Sequence, residues 1–172
     1  LFDAVAALIG VRQEISYEGQ AAIELEVLAA SASGRRDYRF HLEPGPPVVL
    51  DPRPVLEAIL DDLRRSVPPA DIADGFHRAV ARAVADTAGL LADETDGAPV
   101  GLTGGVFQNI RLLTQTATLF QRAGLELLWH RRVPTNDGGL AFGQAALDHA
   151  PAMANVPMSL PGHAQAARGV RP

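Results

Sequence analysis

An α/β fold is predicted by three features of the sequence. The apolar run at residues 98–102 reaches Gly104-Gly105 and gives way to apolar residues at helical spacing (Val106, Ile110, Leu113, Ala117, Phe120), the pattern of strand, tight turn and helix. Gly124 then releases that helix into residues 125–130, a second strand candidate. The rest of the chain alternates amphipathic helical stretches with loops and one hairpin signal. With 172 residues, 47% of them hydrophobic and 20% charged, it can build the core of one domain or of a substantial piece of a larger one.

In order, residues 1–9 predict a short helix ending at Gly10. Asp3 stands on it, either solvated or functional. Leu1 opens inside an amphipathic pattern with no initiator Met and no capping residue, so the chain is expected to be a piece of a longer protein. Gly19 marks a turn, and Ile23, Val27 and Ala30 predict the buried stripe of a second helix with acidic residues near its start. Residues 31–37 read as a loop. Residues 38–42 and 48–50, around a Pro-Gly-Pro-Pro turn, predict a hairpin with His41 on its polar side.

From Asp51, an N-cap candidate, a helix carries Val55, Leu56, Ile59, Leu60 and Leu63 on one face. Pro68-Pro69 ends it. A long helix from Asp71 follows, with Ile72, Phe76, Val80, Ala83, Val84, Thr87 and Leu91 on one side and His77 beside them as a packing residue. Near the end, Thr135, Asn136 and Asp137 are capping candidates for a helix whose first turn holds Gly138 and Gly139. Each glycine there weakens the helix by roughly 1 kcal/mol relative to Ala. Either a metal or phosphate beside Asp137 wants that room, or Asp137 is a plain N-cap. Residues 150–172, with four prolines and no periodicity, are expected to be a disordered or appended tail.

The chemistry concentrates at Gly104-Gly105. Two glycines leave the backbone open to a phosphate, and the amides of a following helix's first turn favour an anion, although a glycine pair also serves simply to turn the chain sharply. Gln108 and Asn109 add amides that can read a base or ribose, and Asn is equally a helix-start residue. The spacing matches neither a P-loop nor a dinucleotide fingerprint. Net charge is −5 with no strongly basic tract, which argues against nucleic acid as the partner. The chain has no Cys, so thiol chemistry must come from a partner. No apolar run approaches a membrane span and no secretory leader order is seen, so the cytoplasm is the expected compartment.

Four motifs in order resemble the C-terminal end of the hydrogenase maturation carbamoyltransferase family HypF: Leu1-Phe2-Asp3-Ala4-Val5-Ala6, Ser16-Tyr17-Glu18-Gly19-Gln20-Ala21-Ala22, Leu102-Thr103-Gly104-Gly105-Val106-Phe107-Gln108-Asn109 and residues 136–144. The resemblance implies that residues 1–149 form one lobe of an actin-like ATPase (ribonuclease H-like, ASKHA) domain. It implies an activity in which carbamoyl phosphate and ATP give a carbamoyl adenylate, whose carbamoyl group passes to the C-terminal cysteine of the acceptor protein HypE. By motif position, Gly104, Gly105 and Asn109 would hold phosphate and base, Asp3, Gly19 and Glu24 the ribose side, and Asp137 a divalent metal.

An adenylate is already activated, so positioning and charge stabilisation suffice and no catalytic dyad is expected. In the family, the adenylate is made in a preceding domain, zinc-finger and acylphosphatase-like modules lie upstream, and the metal's histidines come from the first lobe. This chain has no His-x-x-x-His pair, and Ile110 follows Asn109 where the family often has Arg. The isolated piece is therefore expected to be inactive. The rival readings are an O-carbamoyltransferase or tRNA threonylcarbamoyl-adenosine lobe, and a non-catalytic nucleotide-binding docking module.

Overall fold

The computed structural model describes residues 1–92, 94–95 and 97–149. Helices and short strands follow in the order α1 (Phe2–Leu8), α2 (Gln20–Ala29), β1 (His41–Glu43), β2 (Val49–Asp51), α3 (Arg53–Arg64), α4 (Pro69–Ala92), β3 (Val100–Leu102), α5 (Ile110–Ala123), β4 (Leu127–Trp129) and α6 (Gly138–His149). The expectation for residues 150–172 lies outside the described residues.

α4 is the spine, because its 24 residues span about 36 Å and its two ends serve different cores. Its first half buries Ile72, Phe76 and Ala79 against Val5 of α1, Leu25 of α2, Tyr38, and Val55 and Ile59 of α3. Its second half contributes Ala88 to a smaller core with Leu102 of β3 and Phe120 of α5. β1 and β2 pair antiparallel, Leu42 opposite Leu50, as the hairpin signal predicts. β3 and β4 pair parallel, Gly101 opposite Leu128, with α5 as the crossover.

Polar groups fasten the first core from its edges. Asp62 is buried and held by the Arg36 guanidinium and, at 2.7 Å, by the Tyr38 hydroxyl. Asp71, also buried, accepts the Ser33 and Gly34 amides at 2.8 Å each, which pins the loop after α2 onto α4. The loop runs so close to the helix that a Cβ on Gly75 would stand 2.8 Å from the side chains of both Arg36 and Tyr38.

Two stripes differ from the sequence reading. α2 buries Ala21, Leu25 and Ala29, while Ile23 and Val27 are exposed. α5 begins at Ile110 and buries Leu112, Thr116 and Phe120, while Val106 and Ile110 face solvent. The cause at α5 is local. Gly104 has φ 96° and ψ 158°, residues Gly105–Gln108 wind as a single 3-10 turn, and only then does Asn109 cap the α-helix. α4 likewise starts before Asp71, at Pro69, since proline is tolerated in a helix's first turn.

Candidate functional site

The cavity lies where the start of α1, the start of α2 and the 3-10 turn meet. It encloses about 540 Å³, within the range of small-molecule sites. Of the residues singled out from the sequence, Asp3, Gly19, Gly105 and Asn109 line it, from three separate stretches of chain. Gly19 is left-handed at φ 80° as the residue before α2, a conformation that glycine adopts freely. Phe2, Ala22, Ile23 and Val106 add apolar walls, and Glu18, Glu26 and Gln108 add polar groups. Glu26 is the lining residue that the sequence reading did not single out.

Three sequence-predicted residues lie elsewhere. Glu24 turns away from the cavity lining. Its carboxylate accepts Arg12 Nε at 2.8 Å and Gln20 Nε2 at 3.0 Å, and hydrogen bonding to Arg12 holds it below the usual carboxylate range. Gly104 donates its amide to the Thr135 carbonyl at 2.8 Å, so this amide is already used. That bond sets the two glycine bends side by side, and a Cβ on Gly105 would come 3.8 Å from Asn136 Cβ. Asp137 is exposed and outside the cavity lining.

The α5 N-terminus departs from the anion-binding picture. The Arg111 amide donates to Glu26 Oε1 at 2.9 Å and the Leu112 amide to Asn109 Oδ1 at 2.8 Å. First-turn amides that would attract a phosphate are thus satisfied by a carboxylate and an amide of the chain itself. The Glu26 carboxylate is the anion at the positive end of the helix dipole. A phosphate near the bend would therefore meet Gly105 and the 3-10 turn, not α5.

Asn109 is fixed on its other side too. Its Nδ2 donates to His77 Nε2 at 2.9 Å, and His77 Nδ1 donates to the Ala73 carbonyl at 2.8 Å. This requires the neutral, Nδ1-protonated imidazole. Burial holds the His77 pKa below its ordinary 6.5. Asp74 beside it binds both Arg78 and, at 2.7 Å, Arg111, so α4 and α5 are joined at the cavity's edge by charges as well as packing.

The lining carries the carboxylates of Asp3, Glu18 and Glu26 and no cationic side chain. Such a surface suits hydroxyl donors of a sugar better than it suits phosphate. For a metal the fit is poor. Among the described residues no group of three or more His, Asp and Glu side chains is placed to hold an ion. At α6 the room beside the two glycines is filled by protein: a Cβ on Gly139 would lie 2.6 Å from the Pro134 carbonyl oxygen, and one on Gly138 3.1 Å from Asn136 Oδ1. Among the described residues, no helix is long and apolar enough to cross a membrane.

Residues 1–144 match the family profile described as "Carbamoyltransferase, Kae1-like Domain, second subdomain". Carbamoyltransferase HypF of Rhodobacter capsulatus is 40% identical over 148 residues, and the HypF of Synechocystis is 35% identical over 145 residues. In each case 84% of this chain is covered but only 18% of the relative, so the chain spans less than a fifth of their length. Among solved structures, full-length HypF in its phosphate- and nucleotide-bound form superposes with a TM-score of 0.78 at 39% identity, covering 86% of this chain and 19% of that one. HypF of T. kodakarensis gives 0.75 at 31% identity, with the same coverage of both chains.

Proposed function

Since the chain belongs to the HypF carbamoyltransferase family, in the second subdomain of its Kae1-like domain, we propose that it forms the nucleotide-facing half of an actin-like carbamoyl-transfer site. One observation carries the reading: Asp3, Gly19, Gly105 and Asn109, distant in sequence, line a single cavity of about 540 Å³. The phosphate- and nucleotide-bound state of a HypF structure with the same fold supports a nucleotide as its occupant.

In this reading the adenosine of a carbamoyl adenylate enters between α1 and α2. Asp3 and Glu18 accept hydrogen bonds from the ribose hydroxyls, and Ile23 and Val106 cover the base. Gly105 lets the phosphate approach the 3-10 turn without a side chain in the way. A cysteine thiolate at the C-terminus of a HypE-like acceptor protein then attacks the carbamoyl carbon. The C–S bond forms, the bond from that carbon to the phosphate oxygen breaks, and AMP leaves with the electron pair, the thiol proton having gone to solvent. The chain's part is to hold and orient the adenylate, and it needs no nucleophile of its own. Asp137 is proposed as the one carboxylate this lobe adds to a metal whose other ligands lie outside the chain, and no step above depends on it.

The test uses the full-length protein with carbamoyl phosphate, ATP and a HypE-like acceptor. Carbamoylation of the acceptor tail is expected, abolished when its terminal Cys is replaced by Ala and reduced at least tenfold by Asp3→Ala in the enzyme, on the usual scale for losing charged contacts to a ligand. Carbamoyl transfer to a sugar hydroxyl in place of the thiol would overturn the assignment.

A further inference from the structure

A groove of about 280 Å³ runs along α4 and α5 and shares no residue with the nucleotide cavity. The two helices lie side by side and point the same way, since Asp74 pairs with Arg111 near their starts while Ala88 and Phe120 meet in one core further on. Arg78 and Arg82, one turn apart on α4, line the groove with Arg122 of α5, and Arg35 joins them from the loop after α2. No run of basic residues in the sequence announces this patch. Three separate stretches assemble it, and four guanidinium groups gather in a chain whose net charge is −5.

Their neutralisation is incomplete. Arg78 pairs with Asp74 and donates to the Arg36 carbonyl at 2.7 Å, which fixes its guanidinium in place, and Arg82 approaches Asp37 only to 3.8 Å. Arg35 and Arg122 form no ion pair among the described residues. Arg122 stands in the last turn of α5, where it complements the negative end of the helix dipole, but that role accounts for one cation of the four. Cations gathered without counter-charge repel one another, so a ligand that brings negative charge stabilises the groove.

Dimensions select among such ligands. Thr114 and Arg122 both line the groove and lie eight residues apart on α5, about 12 Å along its axis. Arg35 belongs to the Thr114 end, because the neighbouring Arg36 carbonyl accepts from Arg78, one turn beyond the Asp74 that pairs with Arg111 at the start of α5. The charges are therefore strung along the groove, and a single tetrahedral oxyanion meets only one end of it. An extended peptide rises about 3.3 Å per residue, so two acidic side chains four positions apart span the same distance and project from one face. Ala81 and Leu119 supply apolar surface between the ends. Among the described residues no aromatic side chain lines the groove for a base to stack on, and the negative chain as a whole repels a nucleic acid.

We propose that the α4–α5 groove docks an extended acidic segment of a partner protein, with one set of carboxylates on Arg35 and Arg78 and a second, about four residues along, on Arg122. The guanidinium fork suits carboxylate oxygens geometrically. Arg82, midway and only loosely met by Asp37, adds positive field between the two ends.

The experiment follows the fluorescence anisotropy of a dye-labelled peptide with two glutamate pairs four positions apart, titrated with the full-length protein at constant ionic strength. Saturable binding is expected, at least about tenfold tighter than for the same peptide with glutamines, and severalfold tighter than for a peptide that keeps only one pair. Arg35→Gln and Arg122→Gln are expected to weaken the two-pair peptide about threefold each and about tenfold together, while Arg64→Gln, on the exposed face of α3, leaves it unchanged. Equal binding of the glutamate and glutamine peptides, or of the one-pair and two-pair peptides, overturns the proposal without need of any variant. Unchanged affinity in the double arginine variant overturns it too. Displacement of the peptide by inorganic phosphate, or by a single-stranded oligonucleotide, at concentrations no higher than the unlabelled peptide requires assigns the groove to that ligand instead. A dimer in sedimentation that the double variant converts to monomer assigns it to a second copy of the chain.

Discussion

Asn109 and His77 are joined by a 2.9 Å hydrogen bond that ties the N-cap of α5 to the first half of the α4 spine. Because His77 Nδ1 donates to the Ala73 carbonyl, Nε2 is left to accept from Asn109, whose Oδ1 in turn caps Leu112. The cavity's edge therefore depends on an imidazole that must stay neutral. Replacing His77 with Leu keeps the volume but strands the Asn109 amide, and is expected to cost about 1–3 kcal/mol, read by urea unfolding.

The same bond gives a pH dependence. Burial lowers the native pKa of His77 below 6.5, against smaller upward pulls from the Ala73 hydrogen bond, Glu26 and Asp74 and a further downward one from Arg111. The unfolded chain binds the proton more readily, so this contribution is complete above the unfolded value and is lost as pH falls from there through the lowered native value. Unfolding free energies measured from pH 7.5 downward are expected to drop across that window in the wild type, with a shallower drop in His77→Leu.

Gly104 and Gly105 make opposite demands although they are adjacent. Gly104 sits at φ 96° and ψ 158°, where a Cβ is strained even though it would touch nothing within 4 Å. Gly104→Ala is expected to destabilise by about 1–3 kcal/mol. Gly105 has no such conformation, and its Cβ would only reach ordinary contact with Asn136. Gly105→Ala is therefore expected to fold like the wild type while its methyl group projects at the cavity wall and weakens nucleotide binding severalfold. Paired thermal melts and nucleotide titrations separate the two effects.

What could be read from the sequence was whatever is encoded locally. Helical periodicity located α3 and α4, a proline-rich turn located the hairpin, and Gly124 marked the exit from α5 into β4. The buried face of α2 was misread because alanines at positions 21 and 29 carry little hydrophobic signal beside the exposed Ile23 and Val27. Glu26 escaped notice for a different reason. Its partner is the amide of Arg111, 85 residues away, and no local pattern announces a helix capped by so distant a carboxylate. Three of the four motifs bring Asp3, Gly19, Gly105 and Asn109 to one cavity lining, but spacing alone could not separate Glu24, which answers Arg12, from Glu26, which lines the cavity.

That separation is measurable. If the cavity holds the nucleoside, Asp3→Asn removes an acceptor at its wall and is expected to weaken nucleotide binding at least about tenfold, on the scale of a lost charge-assisted hydrogen bond. Glu24→Gln changes the Arg12 pairing and the contact with Gln20, both outside the cavity lining, and is expected to shift the dissociation constant less than about threefold. Equal losses in the two variants would show that the Arg12–Glu24 pair shapes the site from behind, and calorimetric titration with ATP decides it.

The loop before α6 supplies the last contrast. In the sequence Gly138 and Gly139 read either as room for a metal or phosphate beside Asp137 or as the start of a plainly capped helix; Pro134 and Asn136 occupy that room, and the Gly138 amide is met by Asn136 Oδ1 at 3.2 Å, with Asp137 left exposed. Two consequences follow from this geometry. Gly139→Ala forces a methyl group within 2.6 Å of the Pro134 carbonyl oxygen, a backbone atom that cannot swing aside, so the variant is expected to lose about 1–3 kcal/mol or shed α6 from the fold. Asp137→Asn is expected to leave the unfolding midpoint of the chain unchanged, and the chain by itself to show no divalent-cation binding stronger than the millimolar range, because a single exposed carboxylate supplies one ligand where six or more are usual for hard cations. In the full-length protein the same substitution is expected to lower metal content. Metal analysis of the purified full-length pair, set beside titration of the short chain, distinguishes a carboxylate completed by another lobe from one that only faces water.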